Sequence, residues 1–223
     1  MKDFPIFPTE YGVVSLTLHE IPYRAEAYIQ VQDVQPGALP RLLEECVGFC
    51  RACGAERVYA AGRADFPEEL YHGSLIEMNL CRREIELPEA SLWPVTEETA
   101  ERFRTIYNEA MATVDYARTL TAAEKQALAA SGGAYFVHRE GRLLGIGWVE
   151  GEELRAIASV VPGMGETVAQ ALLSVISGER VRLEAASRNE RAIRLYERLG
   201  FLKTAELQRW YQVFPTGSTN IPK

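Results

Sequence analysis

Asn189-Glu190-Arg191-Ala192-Ile193-Arg194-Leu195-Tyr196-Glu197-Arg198-Leu199-Gly200-Phe201 is the stretch whose pattern decides the fold. Ala192, Leu195, Tyr196 and Leu199 recur at helical spacing on one side, and Arg191, Arg194 and Arg198 share another, the pattern of a helix with one packed face. Gly200 can take the left-handed conformation that stops such a helix. A strand is expected before it at 180–185 (RVRLEA) and another after it at 207–213 (LQRWYQV).

Toward the N-terminus, the pattern predicts a helix at 166–177, preceded by strands at 134–138, 143–149 and 153–161. Turns at Glu140-Gly141 and Gly151 join these strands into an antiparallel meander. Two helices come first, one at 121–130 and one starting near Thr96 or Thr99, either of which could cap it. The latter carries Ala100, Phe103, Ile106, Tyr107, Ala110, Met111 and Val114 on one face. The order α-α-β-β-β-α-β-α-β gives an α/β class with a mixed central sheet flanked by helices. Residues 84–95 hold two prolines and no period, which places a junction near residue 88 and divides the chain into 1–88 and 89–223. The first part reads as strands at 13–18, 27–34, 57–61 and 74–81 and a helix at 38–53. It also echoes the second. Val34-Gln35-Pro36-Gly37, a helix and Gly54-Ala55-Glu56-Arg57-Val58 parallel Val161-Pro162-Gly163, a helix and Gly178-Glu179-Arg180-Val181.

A composition 47% apolar and 25% charged is that of an ordinary folded protein. The net charge of −7 and the absence of a Lys/Arg run argue against nucleic acid and anionic lipid. No apolar stretch is long enough to span a bilayer, and the N-terminus lacks a signal-like apolar run, so a cytoplasmic location is expected. Cys46, Cys50 and Cys53 have a C-x3-C-x2-C spacing that an iron–sulfur site could use. They also continue the apolar stripe of Leu39, Leu42 and Leu43, which makes them packing residues with reduced thiols. His138 reads as an exposed strand-end histidine with no second histidine near it to build a metal site.

The pattern N-x-x-A-x-x-L-Y-x-x-x-G-F between two strands closely resembles the last helix of the GNAT acetyltransferase fold. The resemblance implies an acyl-CoA-dependent N-acetyltransferase over roughly 89–214, with acetyl-CoA as cosubstrate and no metal. It implies that Asn189 contacts the pantetheine or sugar-phosphate side of the cosubstrate and that Tyr196 lies near the thioester sulfur. A phenol there can protonate the thiolate that leaves as an amine attacks. The pyrophosphate would lie on the loop and helix start formed by Gly163, Met164, Gly165, Glu166, Thr167 and Val168, an anion site of backbone N–H groups. An N–H of Val160 or Val161 would polarise the thioester carbonyl.

This loop departs from the family pattern. Thr167 stands where Gly is expected and Met164 where Arg or Gln is usual, while Glu166 adds a negative charge. The general base is left open among Glu152, Glu153 and Glu184, near strand ends. Leu70-Tyr71 keeps the helix dipeptide without the rest of its motif, so residues 1–88 resemble a truncated GNAT-like unit without a catalytic site. The expected acceptor is an amine of a small molecule or peptide, a cationic one by overall charge, and a homodimer is left open. The rival reading is a non-catalytic acyl-CoA-binding or structural module on the same fold.

Overall fold

A computed structural model describes residues 6–81 and 89–215. In chain order the elements are β1 (Ile6–Pro8), β2 (Gly12–Thr17), the one-turn α1 (Ile21–Arg24), β3 (Glu26–Val34), α2 (Leu39–Ala52), β4 (Arg57–Gly62) and β5 (Tyr71–Cys81). There follow β6 (Ser91–Pro94), α3 (Ala100–Met111), α4 (Lys125–Ala130), β7 (Ala134–Arg139), β8 (Arg142–Glu150), β9 (Glu153–Ser159), α5 (Gly165–Leu173), β10 (Arg180–Ala186), α6 (Glu190–Arg198) and β11 (Leu202–Phe214). Among the described residues no helix is long and apolar enough to cross a membrane.

The chain forms two compact units, one running up to Leu75 and resuming at Leu207, the other spanning Ile76–Glu206. The junction expected near residue 88 lies outside the described residues. β5 and β11 each begin in one unit and end in the other.

In the first unit the strand order is β1-β2-β3-β4 followed by the Leu207–Phe214 part of β11. β2 and β3 are antiparallel, β3 and β4 parallel, and β11 runs antiparallel to β4. One face carries Val14, Ile29, Val31, Val58, Ala60 and Val213, and α2 closes it with Leu42, Cys46 and Cys50. Burial pushes the Cys46 thiol up to about 12 and the Cys50 thiol up to about 11, so both stay protonated and act as small apolar side chains. Cys53, expected on the same stripe, is instead exposed at the helix C-cap, where the turn has already departed from the core.

The second unit is a mixed sheet in the order β6-β7-β8-β9-β10, continued by the Ile76–Cys81 part of β5 and the Leu202–Glu206 part of β11. α5 and α6 cover one face, burying Val168, Leu172, Ile193 and Phe201 against Val137, Leu144, Val181 and Leu183. Met78 and Leu80 of β5 belong to that core. α3 and α4 cover the other face, with Phe103, Tyr107 and Leu128 on Phe136, Ile146 and Ala158. Full burial of one such large apolar side chain is worth roughly 1.5–3 kcal/mol, so these two layers fix the sheet's position.

Several expectations need correction. β6 was expected as irregular chain, yet Ser91–Pro94 pairs with β7 from Ser91↔His138 to Pro94↔Tyr135. An edge strand tolerates proline because one side of its backbone needs no ladder partner. α5 stops at Leu173 rather than continuing to 177, and the Ser174 hydroxyl donates back to the Ala171 carbonyl at 2.6 Å. Neither Thr96 nor Thr99 caps α3 with its side chain: Thr99 Oγ1 accepts from the Thr96 N–H at 2.9 Å instead. In α6 the deeply buried residue is Ile193, with Tyr196 and Leu199 packed only in part.

Candidate active site in the second unit

The two units share a strand, turn, helix, parallel-strand motif and differ in how the two strands meet. In the first, β3 and β4 pair from Glu26↔Arg57 to Val31↔Gly62 without a break. Gly62 approaches so closely that a Cβ there would overlap the Val31 carbonyl, and the Arg63 N–H donates to that same oxygen at 3.1 Å. Nothing can pass between these strands. The α2 helix that follows also carries Pro40 in its first turn, which removes an N–H from the end that could face an anion.

In the second unit β9 and β10 are joined at one register pair, Arg182↔Glu153. Charge clamps that end. The Arg182 N–H donates to the Glu152 carbonyl at 2.9 Å, the Arg182 guanidinium reaches Glu153 at 2.9 Å, and Arg155 reaches Glu153 at 3.0 Å and Glu150 at 2.8 Å. Further along, Leu144 draws the end of β9 toward β8, because its carbonyl accepts from the Val160 N–H at 2.9 Å and the Val161 N–H at 3.3 Å. Beyond that pair the two strands share no register partner among the described residues, and the gap where they part is the candidate cleft.

The turn after β9 passes through Gly163 at φ +83°, a conformation that penalises any Cβ, and delivers the chain into α5. The N–H groups of Gly165, Glu166 and Thr167, the first turn of that helix, have no hydrogen-bond acceptor among the described residues. Gly165 lies against α6, since a Cβ on it would sit 3.3 Å from Leu195 Cδ2. Val168, the last member of the expected loop, is fully buried, and its N–H donates to the Met164 carbonyl at 3.0 Å. Its contribution is packing.

Tyr196 follows Leu195 and packs on the same core as Val161 and Met164, with its ring 5.9 Å from that of Phe201. Burial pushes its phenol up to about 12, so it keeps its proton throughout the neutral range. The hydroxyl makes no hydrogen bond to any described residue. Asn189 caps α6, its Oδ1 accepting from the Ala192 N–H at 3.2 Å.

Four sequence expectations change here. Val160 and Val161 both spend their N–H groups on Leu144, so in this geometry neither is free to polarise a carbonyl. Met164 is partly buried in the core beside Tyr196, where an arginine would have to drag its charge out of apolar surroundings. Glu166 is not an unopposed charge, because Arg198 Nε of α6 lies 3.7 Å from its carboxylate. His138 is half-buried rather than exposed, with its ring 5.4 Å from that of Trp93 and its Nδ1 without a partner.

The three carboxylates also separate. Glu152 lies beside Gly178, and Glu153 is held by Arg155 and Arg182, both at the closed end of the cleft. Glu184 stands two residues beyond the last strand pair. Since Val181, Leu183 and Ala185 point into the α5 and α6 core, the alternation of a strand puts Glu184 on the opposite face. It is exposed and has no hydrogen bond or ion pair with a described residue.

These features can be compared with known structures. No protein-family model matches the chain, and no curated protein matches it. Solved structures do. A tandem GNAT protein from the clavulanic acid biosynthesis pathway aligns at a TM-score of 0.50 and 16% identity, covering 94% of this chain and 80% of its own. The fold is GNAT-like. A candidate acetyltransferase from Pyrococcus horikoshii aligns at 0.54 with 10% identity, covering 92% and 71%. A conserved Staphylococcus epidermidis protein of unknown function aligns at 0.56 with 10% identity, covering 95% and 94%. At such identities the likeness speaks for the fold, and the tandem relative agrees with two GNAT-like units in one chain.

Proposed function

We propose that the second unit is an acetyl-CoA-dependent N-acetyltransferase working in the cleft between β9 and β10, and that the first unit supports it without a site of its own. The observation that carries this reading is the convergence, at the open end of one strand pair, of an unsatisfied helix N-terminus and an unspent phenol. The pyrophosphate suits the first-turn N–H groups of α5, where the helix dipole favours an anion. Arg198 can supply the cation that Met164 does not, once Glu166 releases it. The Asn189 side-chain N–H2 is available to the pantetheine side.

In the reaction, the neutral amine attacks the thioester carbonyl, forming the C–N bond as the C–S bond breaks. Glu184 takes the proton lost by the amine, and Tyr196 gives one to the departing thiolate. The acceptor would be a small-molecule or peptide amine.

A titration with acetyl-CoA tests the reading. A ligand at a hundred times its dissociation constant adds about 2.7 kcal/mol of stability, so millimolar acetyl-CoA is expected to raise the melting temperature by several degrees and give measurable calorimetric heat. Neither effect at millimolar concentration would remove the proposal. Glu166→Gln is expected to tighten CoA roughly two- to fivefold, the scale of one charge at a helix N-terminus, while Arg198→Ala should weaken it. Equal affinities by calorimetry in all three proteins would exclude Arg198 from the anion site. The occupied Val160 and Val161 N–H groups favour one other reading, a non-catalytic acyl-CoA-binding module. That module would show binding without thiol release in the presence of any amine.

A further inference from the structure

We infer that Arg191 holds the cosubstrate's pyrophosphate against the start of α5, supplying from α6 the guanidinium that Met164 leaves out of the loop. This rests on the acetyltransferase reading and adds a binding residue to that site. Both helices begin just past the end of a strand, α5 after β9 and α6 after β10, and those strands are parallel, so the two helix starts lie at one end of the sheet. Two contacts fix how the helices align. Gly165, the first residue of α5, faces Leu195, whose Cδ2 would lie 3.3 Å from a Cβ there, and Glu166, the second, lies 3.7 Å from Arg198 Nε. Arg191, Leu195 and Arg198 stand at i, i+4 and i+7, so they share one stripe of α6. At a rise of 1.5 Å per residue, Arg191 is roughly 6 Å closer to the start of α6 than Leu195. It therefore stands ahead of Gly165, on the side toward which the first-turn N–H groups of α5 point.

The other cations at this end are already engaged. Arg188, just before the cap of α6, lies 3.3 Å from Asp115, Arg194 lies 2.9 Å from Glu190, and Arg198 faces Glu166. Arg191 is exposed and has no hydrogen bond or ion pair with a described residue. Its place in the first turn of α6 is one that the dipole of its own helix disfavours for a cation. An anion at the start of the neighbouring helix reverses that balance, because a planar guanidinium can give two N–H groups to one phosphate. Arg198 must first leave Glu166 to take part, whereas Arg191 needs no such release.

The test titrates CoA and dephospho-CoA, which lacks the 3′-phosphate, into the full chain by calorimetry. Arg191→Ala is expected to weaken both ligands by the same factor, about five- to twentyfold for one exposed arginine on a phosphate. Arg191→Lys, which keeps the charge, should stay within about threefold of the parent. The deficit of Arg191→Ala should shrink as salt is raised, which a packing defect would not do, and its melting temperature should match the parent's. Unchanged affinity in Arg191→Ala overturns the inference, as does a loss that salt leaves untouched. A loss confined to CoA overturns it too, since the contact would then be with the 3′-phosphate. In each of these cases the parent still binds and the acetyltransferase reading stands; a parent that binds neither ligand removes both.

Discussion

A chain begun at residue 89 is expected not to fold. Such a truncation removes Ile76–Cys81, and with it Met78 and Leu80, which are 0% and 7% exposed in the core beneath α5 and α6. Truncating one large buried side chain to Ala costs about 2–5 kcal/mol. Losing two, together with the strand that satisfies the backbone of β10, consumes most of the roughly 5–15 kcal/mol that keeps a domain folded. The protein 89–223 should lack a cooperative melt by circular dichroism and should aggregate on size exclusion. A fragment 76–206, which restores the strand, should recover a cooperative transition. A soluble, monomeric, active 89–223 would show that residues 76–81 are dispensable and that the core of the second unit has been misread.

Tyr196→Phe should lower kcat about ten- to a hundredfold, the range of one proton donor acting in a transition state. Two structural facts sharpen this expectation. The hydroxyl has no partner among the described residues, so its removal strands no buried group, and the melting temperature should stay within a degree or two. The ring still packs on Phe201, so acetyl-CoA affinity should hold. Because burial raises the phenol to about 12, Tyr196 remains a donor through neutral and mildly alkaline pH, and the parent should show no alkaline limb from this group until the pH approaches that value. An unchanged turnover, with chemistry established as rate-limiting, would leave Tyr196 only a packing role.

How much of this was legible in the sequence depended on whether the cause was local. The helix from Glu190 to Arg198 announced itself because its spacing, its cap Asn189 and its stop at Gly200, φ +92°, all act within one segment. The parallel strand-turn-helix units were visible for the same reason. β6 was hidden by Pro94, and Leu202–Glu206 by being exposed along its length, so neither showed the alternation of a half-buried strand. In the site, the motif pointed to Tyr196 and Asn189. It could not show that Leu144 captures two N–H groups, that Arg198 of one helix faces Glu166 of another, or that β9 and β10 part after a single pair. Choosing Glu184 from three carboxylates needed that last fact.

The crossing of β11 has a consequence for the order in which the protein is made. The first unit holds Tyr211 and Val213 in its core, and β4 pairs with the strand that carries them. During synthesis those residues emerge after the whole of the second unit. The open side of β4, with Val58 and Ala60, must therefore wait through translation of some hundred and fifty further residues before its neighbour arrives. The first unit is thus begun before the second and completed after it, and its nascent sheet edge is the surface for a chaperone to shield.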